Sequence, residues 1–380
     1  MKRRVRAGIA GAGFIGAVHI EALRRLGYVD VAALADVSGA REKADALGVP
    51  RGYADYREML DKEHLDVLHI CTPNDTHLAV GSDALEHGVH ILCEKPMTKT
   101  LAEAEALARL AREKGLLGGM NFMYRFYPNV MEMRDMVQGG EAGRIYTVHG
   151  SYLQDWLYYD TDYSWRLDSA QSGQSRAFAD IGSHWIDMVE WITGQRVTEV
   201  LADFETFHKT RKKPLGKAET FSNKPQGPGG YEEVDIDTED YAAVLFRFSG
   251  GAHGSCVISQ VYGGRKNQAI VSVGGSQCAL HWDSEEVNTL WIGKRESANR
   301  SLVRDPALLH PNAAAIAAYP GGHAEGFGDA VKQNFSAFYQ NVLSGGALEP
   351  LYATLEDGMR EMRICEKIIE SARGDRWVTL

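Results

Sequence analysis

Between residues 3 and 122, short apolar runs alternate with amphipathic stretches of helical period, and no other feature of the sequence restricts the fold as tightly. Strands are expected over residues 3–8, 29–35, 65–71, 90–93 and 116–122, and helices over 14–26, 40–47, 77–87 and 101–114. In the last helix Leu101, Ala104, Leu107, Ala108 and Ala111 recur every three or four residues and line one face with apolar groups. Alternation of this length folds as a parallel sheet with helices on both faces, because joining parallel strands takes a helix-sized crossover.

The first strand-to-helix turn reads Gly11-Ala12-Gly13-Phe14-Ile15-Gly16, a complete G-x-G-x-x-G. Gly11 permits a tight turn, Gly13 lets a pyrophosphate approach the backbone, and Gly16 allows close helix–strand packing. The phosphates then sit on the helix N-terminus, where free N–H groups and the macrodipole favour anions. An ordinary glycine-rich turn shares the bare motif. Here it follows a strand, opens a helix, and is answered by Asp36 at the end of the second strand, at the spacing of a ribose-binding carboxylate. The expected unit is a Rossmann domain. Asp36 repels a 2′-phosphate, which favours NAD, while Arg41 a helical turn further on keeps NADP in second place.

A chain of 380 residues is too long for one hydrophobic core, so two domains are expected, at 1–122 and 123–380. Asp and Glu number 51 against 41 Lys and Arg, leaving a formal charge of −10. That sign argues against nucleic acid and anionic membrane surfaces as partners. The five cysteines, Cys71, Cys93, Cys256, Cys278 and Cys365, form no C-x-x-C pair and read as buried thiols of a reducing compartment. The start, basic and then rich in Gly and Ala, imitates a signal peptide, but cleavage there would remove the glycine loop. A strand and turn are expected instead, in a cytoplasmic protein.

Downstream, one strand exit carries Thr72-Pro73-Asn74-Asp75-Thr76-His77, the next carries Glu94-Lys95-Pro96, and Asp180 stands four residues before His184. T-P-N-x-x-H, E-K-P and D-x-x-x-H behind a dinucleotide loop resemble the glucose–fructose oxidoreductase / inositol dehydrogenase (Gfo/Idh/MocA) family, in order and spacing along the whole chain. The resemblance implies an α/β N-terminal Rossmann domain plus a C-terminal α+β domain with an open, mostly antiparallel sheet, often used for oligomerisation. A homodimer or homotetramer is therefore expected, with the active site between that domain and the nicotinamide. It also implies that Thr72, Pro73, Asn74, His77, Glu94 and Lys95 join Gly11, Gly13, Phe14, Ile15, Gly16 and Asp36 in holding the cofactor.

Lys95 stands at the carboxyl end of a parallel strand, where open α/β sheets place ligands, and Pro96 biases it to an extended conformation. It can donate to a substrate hydroxyl or carbonyl, or simply be a solvated lysine at a strand exit. Asp180 and His184 are spaced i, i+4 at the start of a helix expected over 181–193, which places both on one face. Oxidising a secondary alcohol needs a base for the O–H proton while hydride leaves carbon, and histidine titrates nearest neutrality. From the residues alone, Asp180 as an N-cap and His184 as a packed helix residue is the better reading. With the resemblance, Lys95, Asp180 and His184 become the expected catalytic group.

Tyr124 and Arg125 can face cofactor or substrate, or lock the two domains together. The second domain opens with a strand over 143–152 and an aromatic loop holding Gln154, Trp156, Trp165 and Arg166. Aromatic faces beside polar groups suit a sugar, with its apolar C–H face and fringe of hydroxyls, though a cluster covering an interdomain seam fits too. His323 either reaches the substrate or starts a helix. Ile181 departs from the polar residue of inositol-oxidising members, which turns the expectation toward a hexose, anhydrosugar or glycoside. Alternating strands are expected over 240–248, 252–260, 269–273, 278–282 and 289–292 as a meander, an exposed loop over 209–230, and helices reaching about 344 and over 355–371. The expected activity is NAD-dependent hydride transfer from a secondary hydroxyl of a sugar, polyol or glycoside, with no metal. A non-catalytic NAD-binding sensor of the same fold is the alternative.

Overall fold

In the computed structural model the described residues are 4–215 and 230–380, and they fall into two compact units. The first comprises residues 1–126 together with 326–362, and the second 127–325 with 363–380. A single cut at residue 122 therefore does not describe the chain.

The first unit is built on strands β1 (Val5–Ala10), β2 (Val29–Ala35), β3 (Gly52–Tyr53), β4 (Val67–Ile70), β5 (His90–Cys93) and β6 (Gly118–Met120). They pair in parallel in the order 6-5-4-1-2-3. Helices α1 (Phe14–Leu26), α2 (Ala40–Leu47), α3 (Tyr56–Lys62), α4 (His77–Glu86) and α5 (Leu101–Lys114) make the crossovers. Their boundaries follow local chemistry. Thr100 and Glu103 form a capping box on α5, and glycines in the left-handed region close α1, α2 and α5. Residues 326–362 return to this unit because their contacts lie there. The strand Ala353–Thr354 adds antiparallel to β6, and Leu355 packs where a side chain on Gly118 would lie 2.2 Å from its Cδ1. The helix Phe327–Leu343 sends Phe335 against His19 of α1, ring centroids 4.6 Å apart.

The second unit carries a nine-stranded sheet. Its members include β7 (Ile145–Leu153), β8 (Val197–Glu205), β11 (Tyr241–Phe248), β12 (His253–Ser259), β13 (Gln268–Gly275), β14 (Ala279–Asp283), β15 (Thr289–Gly293) and β16 (Arg300–Val303), and Val378–Thr379 pairs at the β8 edge. All pairs are antiparallel except β7 with β12. The sheet is not one continuous meander, because β7, made first, sits between β12 and β13. Strands β9 (Thr210–Pro214) and β10 (Tyr231–Asp235) form a separate antiparallel pair, so the expected loop begins with a strand. Its residues 216–229 lie outside the described part. Arg211 accounts for the strand: it is 1% exposed, and its guanidinium gathers carbonyls that a free loop would leave to water.

The helix Ser183–Thr193 lies on this sheet through Trp185, fully buried, stacked on Phe246 and donating from Nε1 to the Ile270 carbonyl at 2.8 Å. Gly150 of β7 makes the contact possible, since a Cβ there would stand 2.6 Å from that nitrogen.

Candidate active site

In the first unit, β1 and β4 are neighbours whose connections leave in opposite directions, and a crevice opens beyond their carboxyl ends at such a switch point. The loops there are pressed together. Gly11 has φ +90°, and a Cβ on it would lie 2.6 Å from the Cys71 carbonyl oxygen. One on Gly16 would lie 2.1 Å from the Gly11 carbonyl, whereas around Gly13 nothing stands within 4 Å. Helix α1 starts with Phe14 exposed and Ile15 half-buried, no side chain capping it and no acidic residue in its first turn. Its first N–H groups are thus offered to an anion. Asp36 closes the crevice: Oδ2 accepts from the Ala12 amide at 2.9 Å and pairs with Lys43 at 2.7 Å, and Oδ1 accepts from the Ser38 amide. Burial pushes its pKa up, but Lys43 and the two amides outweigh this and hold the carboxyl below the usual range. An open glycine backbone, an uncapped helix start and an ionised carboxylate fit the pyrophosphate and ribose of NAD.

Two further strand exits flank this crevice. Thr72 and Pro73 are half-buried, Asn74 is buried, and the Thr76 hydroxyl donates to Pro73. His77 is fully buried, between the Thr72 carbonyl on one nitrogen and the Pro96 and Met97 carbonyls on the other. It ties the two strand-exit loops together and is not a surface contact for a cofactor. Lys95 is half-buried after β5, joined to Pro96 by a cis peptide bond.

Glu94, expected at the cofactor, instead ends a buried polar chain. It accepts from His19 at 2.8 Å and from Asn121 at 2.5 Å. His19 meets His69 at 2.9 Å, and His69 meets the Tyr339 hydroxyl at 2.8 Å. One consistent proton assignment runs Tyr339 O–H to His69, His69 N–H to His19, and His19 N–H to Glu94. Burial pushes the Glu94 carboxyl up, but His19, Asn121 and the neighbouring Lys95 charge bring it to about 2. Burial pushes His69 well below the ordinary histidine value, in keeping with its neutral place in the chain. The sequence signal for this chain was histidine on two apolar surfaces, the core face of α1 and the fully buried β4.

Tyr124 and Arg125 are both buried, and Arg125 pairs at 3.5 Å with Asp357, inside the same unit. Neither presents an exposed face to a ligand.

In the second unit, the exits of β7 and β12 and the entry of the antiparallel β11 lie side by side and carry Gln154, Gln260 and Asp240. Gln154 is spent internally: it donates to Asn267 and accepts from the Trp156 indole. Asp180 lies in a π-helical turn, Phe178–Gly182, that precedes the helix; no side chain caps the helix start, so capping does not explain Asp180. Helix thus begins at Ser183 rather than 181, after a π-helical turn of a kind frequent at functional sites. Asp180 Oδ2 accepts from Gln260 Nε2 at 2.8 Å, and Oδ1 faces Arg166 Nε at 3.4 Å. Arg166 stacks on the Trp165 ring, 4.6 Å from its centroid. His184 follows one turn on, 7% exposed, with the Tyr152 ring centroid 6.4 Å away. The structure thus groups Asp180, Arg166, Trp165 and Gln260, the last missed in the sequence because it lies 80 residues from its partner. His323 is not in this group; its side chain is exposed, and its carbonyl accepts from Arg304.

The glycine loop, the uncapped start of α1 and the ionised Asp36 give the first unit the features of an NAD-binding Rossmann domain of an oxidoreductase. Residues 5–122 match the family model described as oxidoreductase family, NAD-binding Rossmann fold, and residues 130–281 match the GFO/IDH/MocA C-terminal domain. The chain belongs to the Gfo/Idh/MocA family and is an NAD-dependent oxidoreductase. It is 28% identical over 392 residues to levoglucosan dehydrogenase of Pseudarthrobacter phenanthrenivorans, spanning 99% of this chain and 98% of that protein. A crystal structure of an oxidoreductase domain protein from Kribbella flavida superposes with a TM-score of 0.88 at 30% identity, covering 99% of each chain. A levoglucosan dehydrogenase in complex with NADH and levoglucosan does so with a TM-score of 0.88 at 26% identity, also over 99% of each. Among the described residues no helix is long and apolar enough to cross a membrane.

Proposed function

We propose that this protein is an NAD-dependent dehydrogenase of a cyclic sugar, oxidising a secondary hydroxyl of a hexose, anhydrosugar or glycoside. The observation that carries the reading is the grouping of Asp180, Arg166 and Trp165 one helical turn from His184. An indole beside a guanidinium and a carboxylate meets both aspects of a pyranose, the apolar C–H face and the equatorial hydroxyls. The similarity to a protein named levoglucosan dehydrogenase, over nearly the full length of both, supports an anhydrosugar within that class.

In this reading NAD, when bound, supplies the hydride acceptor. The glycine loop and α1 hold its pyrophosphate and Asp36 its ribose. Lys95 donates to the reacting hydroxyl oxygen and favours its alkoxide character. His184 takes the hydroxyl proton, and Asp180, an acceptor toward Gln260, orients a neighbouring hydroxyl.

The test is a panel of inositols, hexoses, levoglucosan and simple glycosides with NAD and NADP separately, followed by absorbance of the reduced cofactor. Turnover of a cyclic sugar, abolished in Lys95→Met and His184→Ala with NADH affinity kept, is the expected result. Full activity in both variants overturns the site, and no turnover with any panel member overturns the function.

A further inference from the structure

A run of buried polar groups in the second unit leads away from Asp180. Gln260, fully buried, donates from Nε2 to Asp180 Oδ2 at 2.8 Å, and its Oε1 accepts from Arg176 Nη1 at 3.2 Å. Arg176, 1% exposed, pairs with Asp240, and Asp240 accepts from Arg211 at 2.9 Å. Arg211 in turn donates to the carbonyls of Leu157, Tyr159 and Asp162, in the loop that runs on to Trp165 and Arg166.

This order removes the ambiguity of an amide. A guanidinium only donates, so the atom of Gln260 facing Arg176 must be the oxygen, and the atom facing Asp180 must be the N–H. Asp240 anchors the arrangement. Burial pushes its carboxyl up, but Arg176, the His208 amide and Arg211 hold it below the usual range, so it stays an anion between two cations. The backbone of Gln260 is fixed too, by Asp240 and Leu157.

We infer that Gln260 and Arg176 are positioning residues that hold Asp180 as an oriented hydrogen-bond acceptor, and that the same chain, through Asp240 and Arg211, sets the register of the aromatic substrate loop against it. The inference rests on the proposed role of Asp180 and deepens it. Among the described residues of this unit, the charged and titratable groups around Asp180 include Arg166 on its other oxygen, Arg176 with Glu239 and Asp240 behind Gln260, and His184 one turn along. Neither Gln260 nor Arg176 needs to touch substrate.

The test is Gln260→Glu. A carboxylate at 260 still pairs with Arg176 but meets Asp180 with an oxygen, and two carboxylates so close cannot both ionise. The added negative charge also favours the protonated form of His184 one turn along, so the acidic limb of the kcat profile moves up by about one pH unit or more. With Asp180 misplaced, kcat falls about 10–100-fold while the KM for sugar changes little. Gln260→Leu removes the donor without adding charge, so kcat falls and the limb stays. NADH affinity is unchanged in both. A stability cycle needs no turnover: Gln260→Glu lowers Tm at pH 8, and Asp180→Asn in the same chain restores it, because an amide at 180 donates to the new carboxylate. A wild-type limb and kcat in Gln260→Glu, or additive Tm changes in the cycle, overturns the inference. Absence of turnover in the unmodified protein overturns the function alone, and the cycle still decides this point.

Discussion

Gly13→Ala separates cofactor binding from folding. Gly13 has φ −79° and ψ −161°, extended backbone open to any residue, and a Cβ there meets nothing within 4 Å. The apoprotein therefore tolerates alanine, with stability unchanged or raised by about 0.4–1 kcal/mol from the stiffer unfolded chain. The added carbon does occupy the space through which a pyrophosphate reaches the first N–H groups of α1. Losing two charge-assisted hydrogen bonds costs about 3 kcal/mol, roughly a hundredfold in Kd. With NADH at 100 times the wild-type Kd, binding stabilises the unmodified protein by about 2.7 kcal/mol, and the variant by only about 0.4 kcal/mol. Thermal melts with and without NADH, alongside a fluorescence titration, read both quantities. Gly16→Ala is the contrasting case: its Cβ would stand 2.1 Å from a backbone oxygen, so the apoprotein itself loses Tm. Wild-type NADH affinity in Gly13→Ala would refute the assignment of the loop to the pyrophosphate.

Asp36→Ser removes the anion opposing a 2′-phosphate and releases the Lys43 ammonium now paired with it. The NADP:NAD ratio of kcat/KM is expected to rise about 10–100-fold, and an unchanged ratio would exclude Asp36 from cofactor choice. Glu94→Gln tests the buried chain. The Glu94 carboxyl is brought from an ordinary 4.5 to about 2 in the folded protein, so it contributes stability above pH 4.5 that is lost as pH falls toward 2. Urea midpoints should show the variant less stable by on the order of 3 kcal/mol from pH 8 to 5, with the gap narrowing below about pH 4.5. A gap independent of pH would show that the Glu94 charge is not what Asn121 and His19 hold.

Helices Phe14–Leu26, Ala40–Leu47 and Leu101–Lys114, and strands Val29–Ala35 and His90–Cys93, were legible to the residue. Each is bounded by its own local chemistry: a left-handed glycine, a capping Thr, or a β-rich run between turns. Helix α3 was missed because residues 56–62 make only two turns and bury only Met59 and Leu60. The π-helical turn beneath Asp180 was invisible because it leaves no period in so short a stretch.

Sequence alone determined the nucleotide-binding half of the protein, since its turns, periods and the G-x-G-x-x-G loop are set by residues within a few positions of one another. Only the tertiary structure brought Tyr339 to His69 across 270 residues and Gln260 to Asp180 across 80, and returned Ala353–Thr354 to the edge of the first sheet. Such contacts follow from strand order and register, which place distant strand exits side by side, and a buried polar group then takes whichever partner that order puts within reach.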